Sequence, residues 1–240
     1  MNPYLADPPE HPVLRMRYMK PVESPLDTFL PEPRDLVVHV GAHVGHELET
    51  YLCLGFQGVL YVEANPRIFP ILQEHLEFWR SWFEVLSRRY GPLRAPDLRA
   101  VHRAAAREEG LVPFHLTRQE PTCSLLEPLD PALEVIEDVQ VRSSPLDALL
   151  EEQGLDPARV SYLALDAQGA ELEVLAGAEG LLETVPAVLV EVNYEPRYRG
   201  CPSPEDLERF LVARGFRREF RTPPPPGYPV GDALYLRAPR

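Results

Sequence analysis

The sequence predicts an α/β fold: a seven-stranded, mostly parallel sheet with helices on both faces and an antiparallel hairpin at its C-terminal end. Three observations predict it. Apolar, β-branched runs alternate along most of the chain with segments of helical period. The first such run stops at a glycine and passes through a second glycine into a helical pattern, as a strand–loop–helix unit requires. The last two strand-like segments have no helix between them, so they pair antiparallel at one edge.

Taken in order, residues 1–35 hold many prolines and little periodicity and read as an irregular arm, leaving 36–240 as the folded domain. Next comes Val37-Val38-His39-Val40-Gly41-Ala42-His43-Val44-Gly45-His46-Glu47, a strand, a tight loop and the start of a helix with Leu48 and Leu52 on one face. The glycines let backbone N–H groups approach a ligand, and the helix points its positive end at that ligand's anionic group. A tight turn without a ligand can also need two glycines. Gly58-Val59-Leu60-Tyr61-Val62 forms the second strand and ends on Glu63, 22 residues beyond Gly41, where an acid can accept both hydroxyls of a ribose. The third glycine of the dinucleotide fingerprint is missing, which weighs against a nicotinamide or flavin.

Asn65-Pro66 opens a long helix whose Phe69, Leu72, Leu76, Trp79 and Phe83 recur every three or four positions, so these aromatics read as core. Residues 98–102 make a third strand, followed by Arg103 and three alanines, small enough for a flat ring to lie nearby. Residues 111–116 and 139–141 are short strand-like pieces around a loop containing Thr122-Cys123-Ser124-Leu125-Leu126. Ser144-Pro145-Leu146-Asp147 reads as a helix start with a serine N-cap, so Asp147 reads as a helix-stabilising acid, not a catalyst. Residues 160–165 form a buried strand ending on Asp166, and Gly169 leads into a helix with Leu172, Leu175 and Ala176 on one face. Val188-Leu189-Val190 meets Glu191 and Asn193 at its C-terminal end, Ser203-Pro204-Glu205-Asp206 starts another helix, and Gly215 ends it. The closing strands, 216–221 and 233–237, are joined by a turn with four consecutive prolines. Ligands of such a sheet bind at the carboxyl ends of its strands, and seven strands with that ending are what a methyltransferase using S-adenosylmethionine requires.

Composition narrows the chemistry. A chain of 240 residues suits one domain with an appendage and can bury ~70–75% of its unfolded surface. The net charge of −13 argues against a nucleic-acid partner. Lysine occurs once, at Lys20, against 23 arginines. That excludes a P-loop, a Schiff-base lysine and a Tyr-Lys reductase pair. Cys53, Cys123 and Cys201 are odd in number and widely spaced, suggesting neither disulfides nor zinc but reduced thiols in the cytoplasm. No apolar run approaches the ~20 residues that span a bilayer, and the N-terminus lacks a signal-peptide core, so no membrane partner is expected.

The strings VVHVGAHVGHE, YVEANP, RAAAREEG, CSLL, LALDAQGAELEVLAGAEGLL, EVNYEPRYRG and GDALYLR, in this order, resemble the FkbM family of methyltransferases from about residue 36 to 238. The resemblance implies a class I methyltransferase (Rossmann-like) sheet, S-adenosylmethionine as cofactor, and methyl transfer to a hydroxyl of a sugar, polyketide or other small metabolite. The sequence departs from the family where His39 stands for a common acid and His43 for a common asparagine.

On this reading Gly41, Ala42, His43 and Gly45 surround the methionine part of the cofactor, Glu63 with Ala64 the ribose, and Arg103 with Ala104 the adenine edge. Asp166 emerges beside the sulfonium, where it could orient the cofactor's ammonium, act as base or bind a metal. His43 and Glu191 are the other catalytic candidates. Ser124, Asn193, Tyr194 and Tyr228, with Tyr198 and Asp232, sit in loops expected to hold the small-molecule or glycan acceptor. Asp166, Glu191 and Asn193 could together take magnesium, but carboxylates at strand ends also serve loop amides, and a metal is not favoured. Zinc on His39, His43 and His46 is not expected, since side chains of a strand and its following loop seldom converge. A dinucleotide-dependent oxidoreductase and a non-catalytic cofactor-binding protein are the alternatives.

Overall fold

The computed structural model describes residues 28–91 and 93–238; most of the arm expected over residues 1–35 lies outside the described residues. In chain order the elements are β1 (Leu36–Val40), α1 (Leu48–Cys53), β2 (Gly58–Glu63), α2 (Phe69–Tyr90), β3 (Asp97–His102), β4 (Ala104–Ala105), β5 (Gly110–Thr117), β6 (Val135–Ser144), α3 (Leu146–Glu152), β7 (Val160–Leu165), α4 (Glu171–Ala176), α5 (Leu181–Thr184), β8 (Ala187–Asn193), α6 (Pro204–Val212), β9 (Phe216–Arg221) and β10 (Val230–Arg237).

Every residue of β1, β2 and β7 is buried, so these strands need cover on both faces and lie at the centre of a parallel sheet. The order is β3-β2-β1-β7-β8-β10-β9, with β10 antiparallel to both neighbours. Alternation within β1 divides the core: Leu36, Val38 and Val40 pack with α3 to α6, whereas Val37 packs with α1 and α2. Leu72, Leu76, Trp79 and Phe83 are core residues as expected. Phe69 is half-buried, its ring stacked 4.9 Å from that of His102. Truncating a leucine such as Leu72, fully buried here, typically costs about 2–5 kcal/mol.

Two local expectations are corrected. The short pieces after β3 are parts of a second sheet, ordered β4-β6-β5, in which β5 and β6 form a long antiparallel hairpin. Only one face of it is covered, so Glu137, Asp138, Gln140 and Arg142 interrupt the apolar run and hide the strand in the sequence. Ser144 is the last residue of β6, its carbonyl accepting from Ala106 N–H, and makes no side-chain cap to α3. Asp147 is indeed a helix-stabilising acid, but for α5 and not its own helix: its carboxylate accepts from the N–H groups of Gly180 and Leu181 at 2.7 and 2.8 Å, at the start of α5. The start of α6 is as expected, a capping box between Ser203 and Asp206.

Because β1, β2, β7 and β8 run parallel and in register, Gly41, Glu63, Asp166 and Asn193 come out at one edge of the sheet. The antiparallel return of β10 adds Asp232, paired in register with Glu191. Among the described residues, no helix is long and apolar enough to cross a membrane.

Candidate active site

The loop after β1 is shaped by close approach of backbone to backbone. Gly41 has φ 77°, and a Cβ on it would lie 1.7 Å from the carbonyl oxygen of Asp166, so no other residue fits. His43 also has positive φ, 49°, and its N–H donates to Glu63 Oε2 at 2.7 Å. Glu63 Oε1 accepts from Asn65 N–H, again at 2.7 Å. The Glu63 carboxylate thus holds two loops together and keeps lone pairs for a ligand. Burial pushes its pKa up to about 7, against the pull of the backbone N–H groups of Asn65, His43 and Ala64.

An open cleft lies over this edge. Gly41, His43, Glu63, Ala64, Arg103, Ala104 and Asp166 all line it. Two expected contacts do not. Ala42 is buried in the core with α1 and α2, and Gly45 packs beneath the loop, where an added Cβ would meet Leu72 and Tyr61. Arg103 N–H donates to Glu63 O, and its guanidinium turns back to His102 O, leaving its alkyl stem and Ala104, Ala105 and Phe114 as an apolar wall.

Asp166, at the tip of β7, has its N–H donated to Val40 O. Burial raises its pKa to about 6; the amide of Gln168 opposes that rise, and the negative charges of Asp232 and Glu47 add to it. Burial likewise holds Glu191 well above the ordinary carboxylate range, reinforced by Asp166, Glu171 and Asp232 and opposed by Arg197. Gln168 stands between the two, its Nε2 donating to Asp166 Oδ1 at 2.6 Å and to Glu191 Oε1 at 3.1 Å. Its backbone is left-handed, φ 50°. Glu171, fully buried, keeps that turn: its Oε1 accepts from the N–H groups of Ala167 and Gly169. Burial raises Glu171 to about 7.

The acceptor-side candidates divide. Asn193 is buried, does not line the cleft, and its Oδ1 has no hydrogen-bond partner among the described residues. Tyr228 is half-exposed, its ring 5.0 Å from the Arg197 guanidinium and its hydroxyl accepting from Arg197. Ser124 is instead buried under the Gln168 loop, donating to Gln168 O and accepting from Leu126 N–H, so its hydroxyl is engaged within the protein. Tyr194 is likewise tied inward, its hydroxyl donating to Thr222 O. Tyr198 is fully buried, its hydroxyl 2.8 Å from Gln168 Oε1 and 3.0 Å from Thr122 O.

His39 turns away from the cleft, its Nδ1 2.9 Å from the Tyr51 hydroxyl, and burial lowers its proton affinity despite Glu47 nearby. It therefore does not converge with His43 and His46. Among the described residues no group of three or more His, Cys, Asp or Glu side chains is arranged to hold a metal. Between Asp166 and Glu191 sits the N–H₂ of Gln168, a donor where a cation would need acceptors.

Sequence reasoning passed over Gln168 and Glu171. Nothing in a glutamine advertises a left-handed backbone, since that conformation is expected of glycine. Glu171 did carry a signal, an acid in the first turn of a helix that follows a glycine.

The family described as "Methyltransferase FkbM domain" matches residues 39–218. Among solved structures, a methyltransferase FkbM from Methylobacillus flagellatus KT superimposes with a TM-score of 0.56 at 17% identity, covering 97% of this chain and 56% of that one. The chain thus spans a little over half of that protein's length. Magnesium protoporphyrin IX methyltransferase from Synechocystis PCC 6803, solved with bound S-adenosylmethionine, gives 0.46 at 14% identity over 94% of this chain and 76% of that one. TrmK of M. capricolum, solved with S-adenosylhomocysteine, gives 0.48 at 6% identity over 89% and 66%. No curated protein sequence matches the chain. The sheet order with its antiparallel last strand is that of the class I methyltransferase fold.

Proposed function

The chain belongs to the FkbM methyltransferase family, and we propose that it transfers a methyl group from S-adenosylmethionine to a hydroxyl of a small metabolite, sugar or glycan. The observation that carries this reading is the sign of the cleft. Glu63 and Asp166 line it, with Glu191 and Asp232 at the neighbouring strand ends. Glu63 is buried and Asp166 and Glu191 are half-buried, and carboxylates so placed at close quarters are costly until a cation or hydroxyl donors arrive. A ligand with a sulfonium, an ammonium and a ribose diol brings both, whereas the pyrophosphate of a dinucleotide would meet like charge.

The residues present fit that ligand. Glu63 would accept the ribose hydroxyls, the backbone at Gly41 and His43 would border the methionine part, and the Ala104–Phe114 wall would cover the adenine. When bound, S-adenosylmethionine supplies an electrophilic methyl on a positively charged sulfur. Because the leaving group becomes neutral, no acid is required; the protein's work is alignment, exclusion of water and removal of one proton. Asp166 takes the acceptor's hydroxyl proton on a carboxylate oxygen, and a pKa of about 6 suits a base working near neutrality. Glu191, His43, Asn193 and Tyr228 complete the acceptor side. Three free cysteines support a reducing, cytoplasmic setting, and a net charge of −13 supports a small acceptor over a nucleic acid.

The test is calorimetric titration with S-adenosylhomocysteine, followed by transfer of radiolabelled methyl to a panel of sugars and hydroxylated metabolites. Binding plus label on a hydroxyl is the expected result. Absence of binding would overturn the cofactor reading, and label found only on nitrogen or carboxyl groups would overturn the hydroxyl.

A further inference from the structure

We propose that Gln168 is the positioning residue of this site: its amide, clamped between Asp166 and Glu191 and making the shorter bond to Asp166, aims that carboxylate and sets it apart from Glu191. That Asp166 is the base rests on the function proposed above; the clamp itself does not.

Two half-buried acids at neighbouring strand ends, bridged by one amide, compete for protons. A donor that bonds unequally to the two breaks the tie. Gln168 Nε2 lies 2.6 Å from Asp166 and 3.1 Å from Glu191, so the shorter, stronger bond favours the charged form of Asp166. The amide cannot turn over freely. Its Oε1 is 2.8 Å from the Tyr198 hydroxyl, and a flipped amide would point oxygen at two carboxylates.

The backbone beneath is fixed as firmly. Ser124 Oγ donates to Gln168 O at 2.7 Å, Glu171 accepts from the N–H groups on either side, and Gly169, φ 95°, packs against Tyr198 and Cys201. A left-handed, buried glutamine is sparsely populated and persists only where its surroundings impose it. Here four separate contacts impose it, all converging on the direction of one N–H₂ group.

The test follows the carboxyl resonance of Asp166 by NMR on protein labelled with ¹³C at aspartate side-chain carboxyls, assigned with Asp166→Asn. The other groups facing Asp166 are Asp232 on β10, Glu47 before α1, Glu191 on β8, Glu63 on β2 and Glu171 on α4, with Arg197 acting on Glu191. These stay in place in the variants used. In Gln168→Leu the midpoint of Asp166 rises by about one pH unit or more, tenfold in proton affinity. In Tyr198→Phe, which frees the amide without removing it, the midpoint rises by less. Thermal unfolding is followed in parallel, and if Gln168→Leu does not fold, Tyr198→Phe decides. An unchanged midpoint in a folded variant overturns the proposal. Full turnover by Asp166→Asn would instead remove the base reading and leave the clamp standing, so the two failures are distinguishable.

Discussion

Replacing Glu63 by alanine tests the cofactor site where its chemistry is most specific. Both Glu63 oxygens are already bonded to backbone N–H groups, and their remaining lone pairs face the cleft. Two ribose hydroxyls donating to an ionised carboxylate contribute about 1.5–3 kcal/mol each, so Glu63→Ala weakens S-adenosylhomocysteine binding by about 10²–10⁴-fold. The buried carboxylate adds a signature that mere loss of contact would not. With a pKa of about 7, Glu63 is about nine-tenths ionised at pH 8 and about one-tenth at pH 6, which makes wild-type affinity about tenfold weaker at pH 6. Binding at pH 6 then releases close to one proton per site. Calorimetry in two buffers of different ionisation enthalpy measures that release directly, with Asp166→Asn as the control for the second acid. Affinity that stays flat from pH 6 to 8 with no proton released, together with undiminished binding by Glu63→Ala, would refute the reasoning.

Four further outcomes are expected. Asp166→Ala lowers turnover by ~100-fold or more with the fold intact; with the acceptor returned by the panel, near-normal turnover would contradict its role. Gly41→Ala drives a methyl into Asp166 O and is expected to cost at least about 3 kcal/mol. Gly227→Ala, with similar φ but nothing within 4 Å, is expected to cost about 1 kcal/mol, and equal denaturation midpoints for the two would disprove the close-approach argument. The ligand-free protein loses thermal stability from pH 5 to 8. Glu63, Glu171 and Asp166 have folded pKa values raised above ordinary, so the fold holds their protons longer than the unfolded chain, and this contribution, present at low pH, is lost as pH rises through about 6 to 7. Glu191 and Asp232, also raised, act the same way, and buried His39, its pKa lowered, acts oppositely; a melting temperature that climbs over that range would falsify the balance. Exhaustive chelation leaves turnover unchanged, and a loss restored by magnesium would reinstate a metal between Asp166 and Glu191.

Much of the fold was legible because its strands declare themselves. β1, β2 and β7 are continuous apolar runs, the mark of burial on both faces, and each ends on the residue that matters, Gly41, Glu63 or Asp166. The surface hairpin of β5 and β6 was legible only in fragments, since its solvent face breaks the pattern with charge. In the site, single residues at strand ends could be read, because a parallel sheet puts every such end on one edge. Relations among side chains could not. That Ser124 props Gln168, that Tyr198 orients its amide and that Gly45 serves packing under α2 depend on which groups face each other across 27 to 44 residues of chain. Sequence spacing carries no such information.

The final strand has a consequence for synthesis. β10 is made after the other strands of the sheet yet sits between β8 and β9, and β9 joins the sheet only through it. Until residues 230–237 leave the ribosome, at about 5–20 residues per second, β8 presents an unpaired edge and β9 has no neighbour to join. A nascent chain stalled before that point carries the glycine loop and Glu63 but lacks Asp232 beside Glu191, so the acidic centre comes into being only when the sheet is sealed.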